Sequence, residues 1–159
     1  MSPVLFVMVG LPGSGKTTLA RRLETERGAL RLTPDEWMLP LFGVGEYGDR
    51  REVVEALLWS VAARALTLGL NVVLDYGLWG RSERDDYRAR AEALGARVDL
   101  RFLDLPHDEL RQRVAFRNAR LTPSEPHIGA EELAEMIAVF QRPTEEEVAS
   151  YPSVTADLR

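Results

Sequence analysis

Cysteine is absent from this 159-residue chain, which excludes a disulfide framework, thiol catalysis and a cysteine-ligated zinc site. Long hydrophobic runs are absent as well. The first ten residues, MSPVLFVMVG, put no basic segment before their short apolar run, and no later run approaches membrane-spanning length. A cytoplasmic location is therefore the expectation. An excess of positive charge is also missing. With a net charge of −5, no global field draws the chain to nucleic acid or an anionic membrane, although a local basic groove stays open. The sharpest scarcity is lysine: of 20 basic side chains, 19 are arginine and one, Lys16, is lysine. No repeat or linker interrupts the chain. Its length suits a single domain spanning residues 1–159, with an ordinary 45% hydrophobic and 28% charged composition.

What is present alternates. Val4–Val9 is a continuous apolar run of the kind buried on both faces of a sheet. A helix is expected from Gly15, with Leu19, Ala20 and Leu23 on one side and a stop before Gly28. Ala29–Leu32 reads as a second strand. Thr33, Pro34 and Glu36 then supply a cap residue, a first-turn proline and a third-position glutamate. After a glycine-rich loop at 41–49, helical spacing returns over 51–68, with Val54, Leu57, Leu58, Val61, Ala65 and Leu68 expected inward. Val72–Leu74 is a buried strand leading to Asp75. Further helices are expected near 82–94, 106–120 and 130–140, a strand over 98–103 and a last short strand near Val154. Strands alternating with helices predict an α/β fold, a parallel sheet covered on both faces.

The motif that carries chemistry is Gly10-Leu11-Pro12-Gly13-Ser14-Gly15-Lys16-Thr17, which satisfies G-x-x-x-x-G-K-[ST] directly after a strand and at the opening of a helix. Glycines let backbone N–H groups converge on phosphate oxygens, and the helix adds the positive end of its dipole. Gly10, Gly13, Ser14, Gly15, Lys16, Thr17 and Thr18 are thus the expected nucleotide-binding set. Lys16 serves the β- and γ-phosphates, Thr17 is a magnesium ligand, and Thr18 gives a hydroxyl to the α-phosphate. The solitary lysine falls where a compact point charge is wanted. No second lysine exists to serve a guanine-reading motif, so a regulatory GTPase is disfavoured and ATP–Mg²⁺ is the expected ligand. The additional signature segments of transporter-type and ring-forming ATPases are not found. A small kinase remains.

Three further features fit one. Asp35 follows the second strand, at the sheet edge where ligands collect, and could deprotonate an acceptor hydroxyl; equally, it suits a helix's first turn. Asp75 ends a buried strand, where an acid can hold magnesium or its waters; a turn-forming aspartate has the same look. Arg113, Arg117 and Arg120 share a helix face beside a polar connection, and could close over a nucleotide and neutralise the transferred group as part of a mobile lid at about 117–129. A solvated face, with Glu109 and Arg113 as an ordinary pair, is the alternative.

Taken together, GLPGSGKTT at 10–18, TPDEW at 33–37, VVLDYGLWGRSER at 72–84 and LDLPHDELRQRVAFRNAR at 103–120 resemble the small P-loop kinases of the polynucleotide kinase, zeta toxin and chloramphenicol phosphotransferase group. The resemblance implies a P-loop NTPase three-layer α/β/α sandwich with a roughly five-stranded parallel sheet. It further implies ATP–Mg²⁺ as donor, Asp35 as catalytic base, Arg113 and Arg117 as lid arginines, and the neighbourhood of Arg117 against the adenine. Where polynucleotide kinases use an arginine to hold the acceptor's phosphate, this chain has Met38. The expected acceptor is therefore a small hydroxyl compound, apolar or aromatic, beside Trp37, Met38, Phe42, Tyr76 and Trp79. A 5′-hydroxyl nucleic-acid kinase, and an ATP-binding module that hydrolyses ATP slowly without an acceptor, are the alternatives.

Overall fold

The computed structural model describes residues 1–45, 47–122 and 127–152. Four parallel strands form one sheet: β1 (Val4–Val9), β2 (Ala29–Leu32), β3 (Asn71–Gly77) and β4 (Arg97–Phe102), in the order β2-β3-β1-β4. The sandwich is the expected one, with four described strands. The candidate fifth, near Val154, lies outside the described residues, as do 123–126 within the expected lid.

Every residue of β1 is buried, and period-two alternation divides its side chains between two cores. Leu5, Val7 and Val9 join the larger core, with Leu58 and Ala62 of α3 (Arg50–Thr67) and Ala91 of α4 (Arg81–Ala93). Val4, Phe6 and Met8 face Ala20 and Leu23 of α1 (Lys16–Arg27). Central placement of β1, paired on both sides, puts the loop that follows it in the middle of the sheet's C-terminal edge. There the strand order reverses, and ligands of open α/β sheets gather.

The inward face of α3 differs from expectation. Val54, Leu58, Ala62, Ala65 and Leu66 are buried, whereas Leu57, Val61 and Leu68 are exposed. A helix turns 100° per residue, so one stripe meets the sheet and the adjoining stripe faces water. Another difference is at Thr33. It precedes α2 (Pro34–Phe42), but its hydroxyl makes no capping bond and Glu36 binds Arg31 instead. The Thr33 hydroxyl is drawn instead to a charged pair, accepting from Arg31 at 2.6 Å and donating to Asp75 at 3.1 Å.

The remaining helices are α5 (His107–Asn118), α6 (Ala130–Val139) and α7 (Glu145–Ala149). The last was not anticipated; Thr144 caps it by accepting from the Glu147 N–H at 3.1 Å. Among the described residues, no helix is long and apolar enough to cross a membrane.

Candidate functional site

The loop between β1 and α1 is bent by Gly13 and Gly15, whose φ angles of 81° and 92° lie in the left-handed region. Alternating handedness turns successive N–H groups into one concavity, the geometry of an anion nest. The loop is packed from outside by α5. A Cβ added at Gly13 would lie 3.0 Å from Val114 and 3.6 Å from the Arg113 Cβ, and one at Gly15 would lie 4.0 Å from the Arg113 guanidinium. Arg113 therefore stands beside the loop while also pairing with Glu109 at 3.0 Å.

Inside the loop, the Ser14 hydroxyl is buried and has no hydrogen-bond partner. An orphan of this kind costs about 1–3 kcal/mol unless a ligand oxygen completes it. The Lys16 ammonium donates to the Leu11 carbonyl at 3.3 Å. Burial holds its pKa below the ordinary 10.5; Asp75 and Asp35 counter that effect, while Arg51 and Arg117 add to it. Four charged groups, from β3, α2, α3 and α5, thus converge on one ammonium.

Asp75, near the end of β3, is buried at 5% exposure and accepts from Thr17 at 2.8 Å and from Thr33 at 3.1 Å. A hydroxyl and a carboxylate side by side are hard oxygen donors of the type magnesium uses, alongside retained waters and substrate phosphates. Among the described residues, no group of three or more histidines or carboxylates could form an all-protein metal cage.

Asp35 lies in the first turn of α2, with its side chain 73% exposed, and accepts from Arg51 at 2.5 Å. Arg51 also donates through Nε to Glu55 at 3.1 Å. Burial works against the Arg51 charge, and the two carboxylates outweigh it, holding the guanidinium above its ordinary value. Burial also raises the Glu55 and Glu83 carboxyls. Sequence reasoning did not single out Arg51 as part of the site. Its role as the partner of Asp35 depends on α2 and α3 meeting, which no local pattern announces. Glu55 was also missed, although its i,i+4 spacing from Arg51 on α3 is a local signal that could have found it.

The aromatic acceptor surface needs correction. Met38 is 2% exposed and belongs to the larger core, and Tyr76 is buried, its hydroxyl donating to the Glu55 carbonyl at 3.1 Å. Trp37 and Phe42 are exposed, and the Trp79 indole turns to the phosphate loop, donating to the Gly10 carbonyl at 3.2 Å.

The arginines expected on α5 divide. Arg117, exposed near the helix end, has its charge felt at Lys16. Arg120, just past α5, folds back on that helix, stacked 3.4 Å from the Phe116 ring and donating to the Phe116 carbonyl. Thr18 is exposed at the start of α1. Asn118 ties the base of the expected lid: its amide donates to the Ile128 carbonyl at 2.6 Å and accepts from the Ile128 N–H at 3.2 Å.

Comparison with known proteins bears on the fold. No curated protein sequence matches the chain. Among solved structures, a chain of the Pnkp1/Rnl/Hen1 RNA repair complex is similar at 24% identity and a TM-score of 0.71, over 86% of this chain and 43% of that one. The present chain thus spans less than half of that relative. Chaetomium thermophilum Kti12, in complex with ADP-AlF3, is similar at 19% identity and a TM-score of 0.68, over 89% and 82% of the two chains. A gluconokinase from Sinorhizobium meliloti 1021 is similar at 21% identity and a TM-score of 0.59, over 91% and 79%. These likenesses show the fold of the small P-loop kinases. The model of the AAA_33 family, described as an AAA domain, matches residues 5–143, and the chain belongs to that family.

Proposed function

We propose that the protein moves the γ-phosphate of ATP–Mg²⁺ to a hydroxyl of a small acceptor. The observation that carries this reading is the placement of Asp35. Its charge acts on Lys16, as does that of Arg117, and Arg51 pairs with the Asp35 carboxylate. A base candidate and arginines that share one ammonium support a phosphoryl transfer at this loop.

In this reading the amides of 10–18 and the Lys16 ammonium hold the phosphates, and the orphaned Ser14 hydroxyl gains an oxygen partner. Thr17 and Asp75 would hold magnesium, which when bound neutralises charge on the phosphate oxygens. Asp35, released from Arg51 or sharing it, accepts the acceptor's hydroxyl proton. Arg113 and Arg117 face the charge that develops on the transferred group. The segment at about 117–129 acts as the lid, hinged on the Asn118–Ile128 pair.

Likeness to a chain of an RNA repair complex favours a second reading, transfer to a nucleic-acid 5′-hydroxyl. Against it, Met38 is sealed in the core and offers an acceptor phosphate nothing. The test has two stages. Calorimetry with ATP–Mg²⁺ should show binding by the wild type and near loss in Lys16→Ala, which removes a charge but little packing. A thermal-shift screen of hydroxyl metabolites, antibiotics and oligonucleotides with ATP–Mg²⁺ present should then identify the acceptor. Unchanged ATP affinity in a folded Lys16→Ala removes the foundation of the proposal; phosphorylation of oligonucleotides alone selects the second reading.

A further inference from the structure

The turn between β3 and α4 grips the phosphate loop at a single residue. The Gly10 N–H donates to the Gly77 carbonyl at 3.2 Å, and the Gly10 carbonyl accepts from the Trp79 indole at 3.2 Å. Both backbone polar groups of the first loop residue are therefore held by residues 77–79.

Leu78, between those two contacts, has a φ of 44° and is the one non-glycine residue in the left-handed region among those described. A leucine stays there only where its surroundings over-determine it. The Leu78 side chain is buried in the larger core. Its carbonyl accepts from Arg84 at 3.0 Å, and the Trp79 carbonyl accepts from Arg84 at 3.1 Å and from the Gln141 N–H at 2.9 Å. Arg84 is itself fixed: its side chain is 0% exposed, and it forks onto Glu147 of α7 at 2.6 and 2.9 Å. A continuous path of hydrogen bonds runs from Glu147 through Arg84 and Trp79 to Gly10.

From this path we infer that Trp79 is a positioning residue for the phosphate loop and that Arg84, anchored by Glu147, holds Trp79 in place. The loop's concavity is thereby set before any nucleotide arrives, and the segment after α6 supports it through the Arg84–Glu147 pair, whose members are 63 residues apart. The inference rests on the reading of this loop as the nucleotide site, but its first readout needs no nucleotide.

Trp79→Phe keeps an aromatic ring and removes the indole N–H. In the folded variant, amide hydrogen exchange over residues 10–16 without nucleotide should rise relative to wild type, and ATP–Mg²⁺ should bind about fivefold more weakly, the factor one neutral hydrogen bond of ordinary worth commands. Trp59→Phe, which alters a ring packed on Tyr87, should change neither. Arg84→Lys keeps the charge for Glu147 but not the fork to the two carbonyls. It should loosen the same amides, and adding it to Trp79→Phe should weaken binding less than the product of the two single effects.

Unchanged exchange in Trp79→Phe overturns the inference, even if ATP affinity falls, because the ring would then be touching nucleotide and not setting the loop. Multiplicative single effects overturn the part assigned to Arg84. Faster exchange in a protein whose wild type binds no ATP–Mg²⁺ upholds the positioning role and removes the nucleotide reading alone. Should Trp79→Phe not fold, the emission of Trp79 in a Trp37→Phe/Trp59→Phe protein without nucleotide should shift when Arg84→Lys is added, and a constant spectrum refutes the inference.

Discussion

Removal of the Glu147 carboxylate is the stability test with the clearest expected magnitude. The Arg84 side chain is 0% exposed and that of Glu147 is 2% exposed, so neither charge is solvated by water. Arg84 makes four described hydrogen bonds, two to Glu147 and one each to the Leu78 and Trp79 carbonyls. Glu147→Ala leaves the guanidinium buried with two carbonyls and no counter-ion. Breaking a buried pair in this way costs about 3–5 kcal/mol. Domains commonly have a total of roughly 5–15 kcal/mol. At about 2–4 °C per kcal/mol for a chain of this size, the melting temperature should fall by roughly 6–20 °C. Urea denaturation and calorimetry measure it. Glu26→Ala is the control: its partner Arg22 and Glu26 itself are at least half exposed, and its loss should barely move the midpoint. Arg84→Met combined with Glu147→Leu should lie closer to wild type than Glu147→Ala, because both desolvated charges are then gone. A midpoint for Glu147→Ala within about 1 kcal/mol of wild type would refute the reasoning.

Asp35→Asn should leave ATP affinity near wild type and lower phosphoryl transfer by about 10²–10⁴-fold, the range of a general base. The structure limits the stability cost to about 1 kcal/mol or less, since the Asp35–Arg51 pair is at the surface and Arg51 keeps Glu55. Full transfer activity sinks the mechanism but not the nucleotide site. Asp75→Asn should behave differently and raise the magnesium concentration needed for half-maximal binding of ATP, read by titration; an unchanged requirement removes Asp75 from the metal site. Lys16→Met tests the buried ammonium. Its folded pKa is lowered by burial, so the unfolded chain binds more protons between that lowered value and 10.5, and stability from this group rises as pH rises through the window. Below the window the penalty is fully present. The variant should therefore be more stable than nucleotide-free wild type at neutral pH, with the gap closing at alkaline pH, as melting curves of the two proteins side by side would show. A variant less stable than wild type at pH 7 contradicts the burial penalty.

The layered fold was legible because its signals are local. The unbroken apolar run Val4–Val9 could only be a strand covered on both faces, and the glycine spacing that follows could only be a tight loop opening a helix. Asp75 was expected to end its strand; β3 instead continues through Tyr76 to Gly77, which leaves Asp75 buried within it. Elsewhere a local rule gave way to a tertiary partner. Thr33 and Glu36 have the sequence of a capping box, yet a buried carboxylate and an arginine compete for the same groups and take them. Leu57 and Val61 fit the helical period, but which stripe of α3 meets the sheet is set by how the helix lands. Met38 sits one turn past Asp35 and was read toward the acceptor; the helix turns it into the core instead.

By itself, then, the sequence determined the phosphate loop and the alternation of strands and helices from which a parallel sheet is inferred, since both are written in residues within a few positions of one another. The tertiary structure alone decided the company those residues keep. Arg51 beside Asp35, Trp79 on Gly10 and Arg84 locked to Glu147 join positions 16, 69 and 63 residues apart. Such pairs form because packing brings two surfaces together and a buried polar group then takes the partner within reach. Spacing along a chain carries no record of that choice.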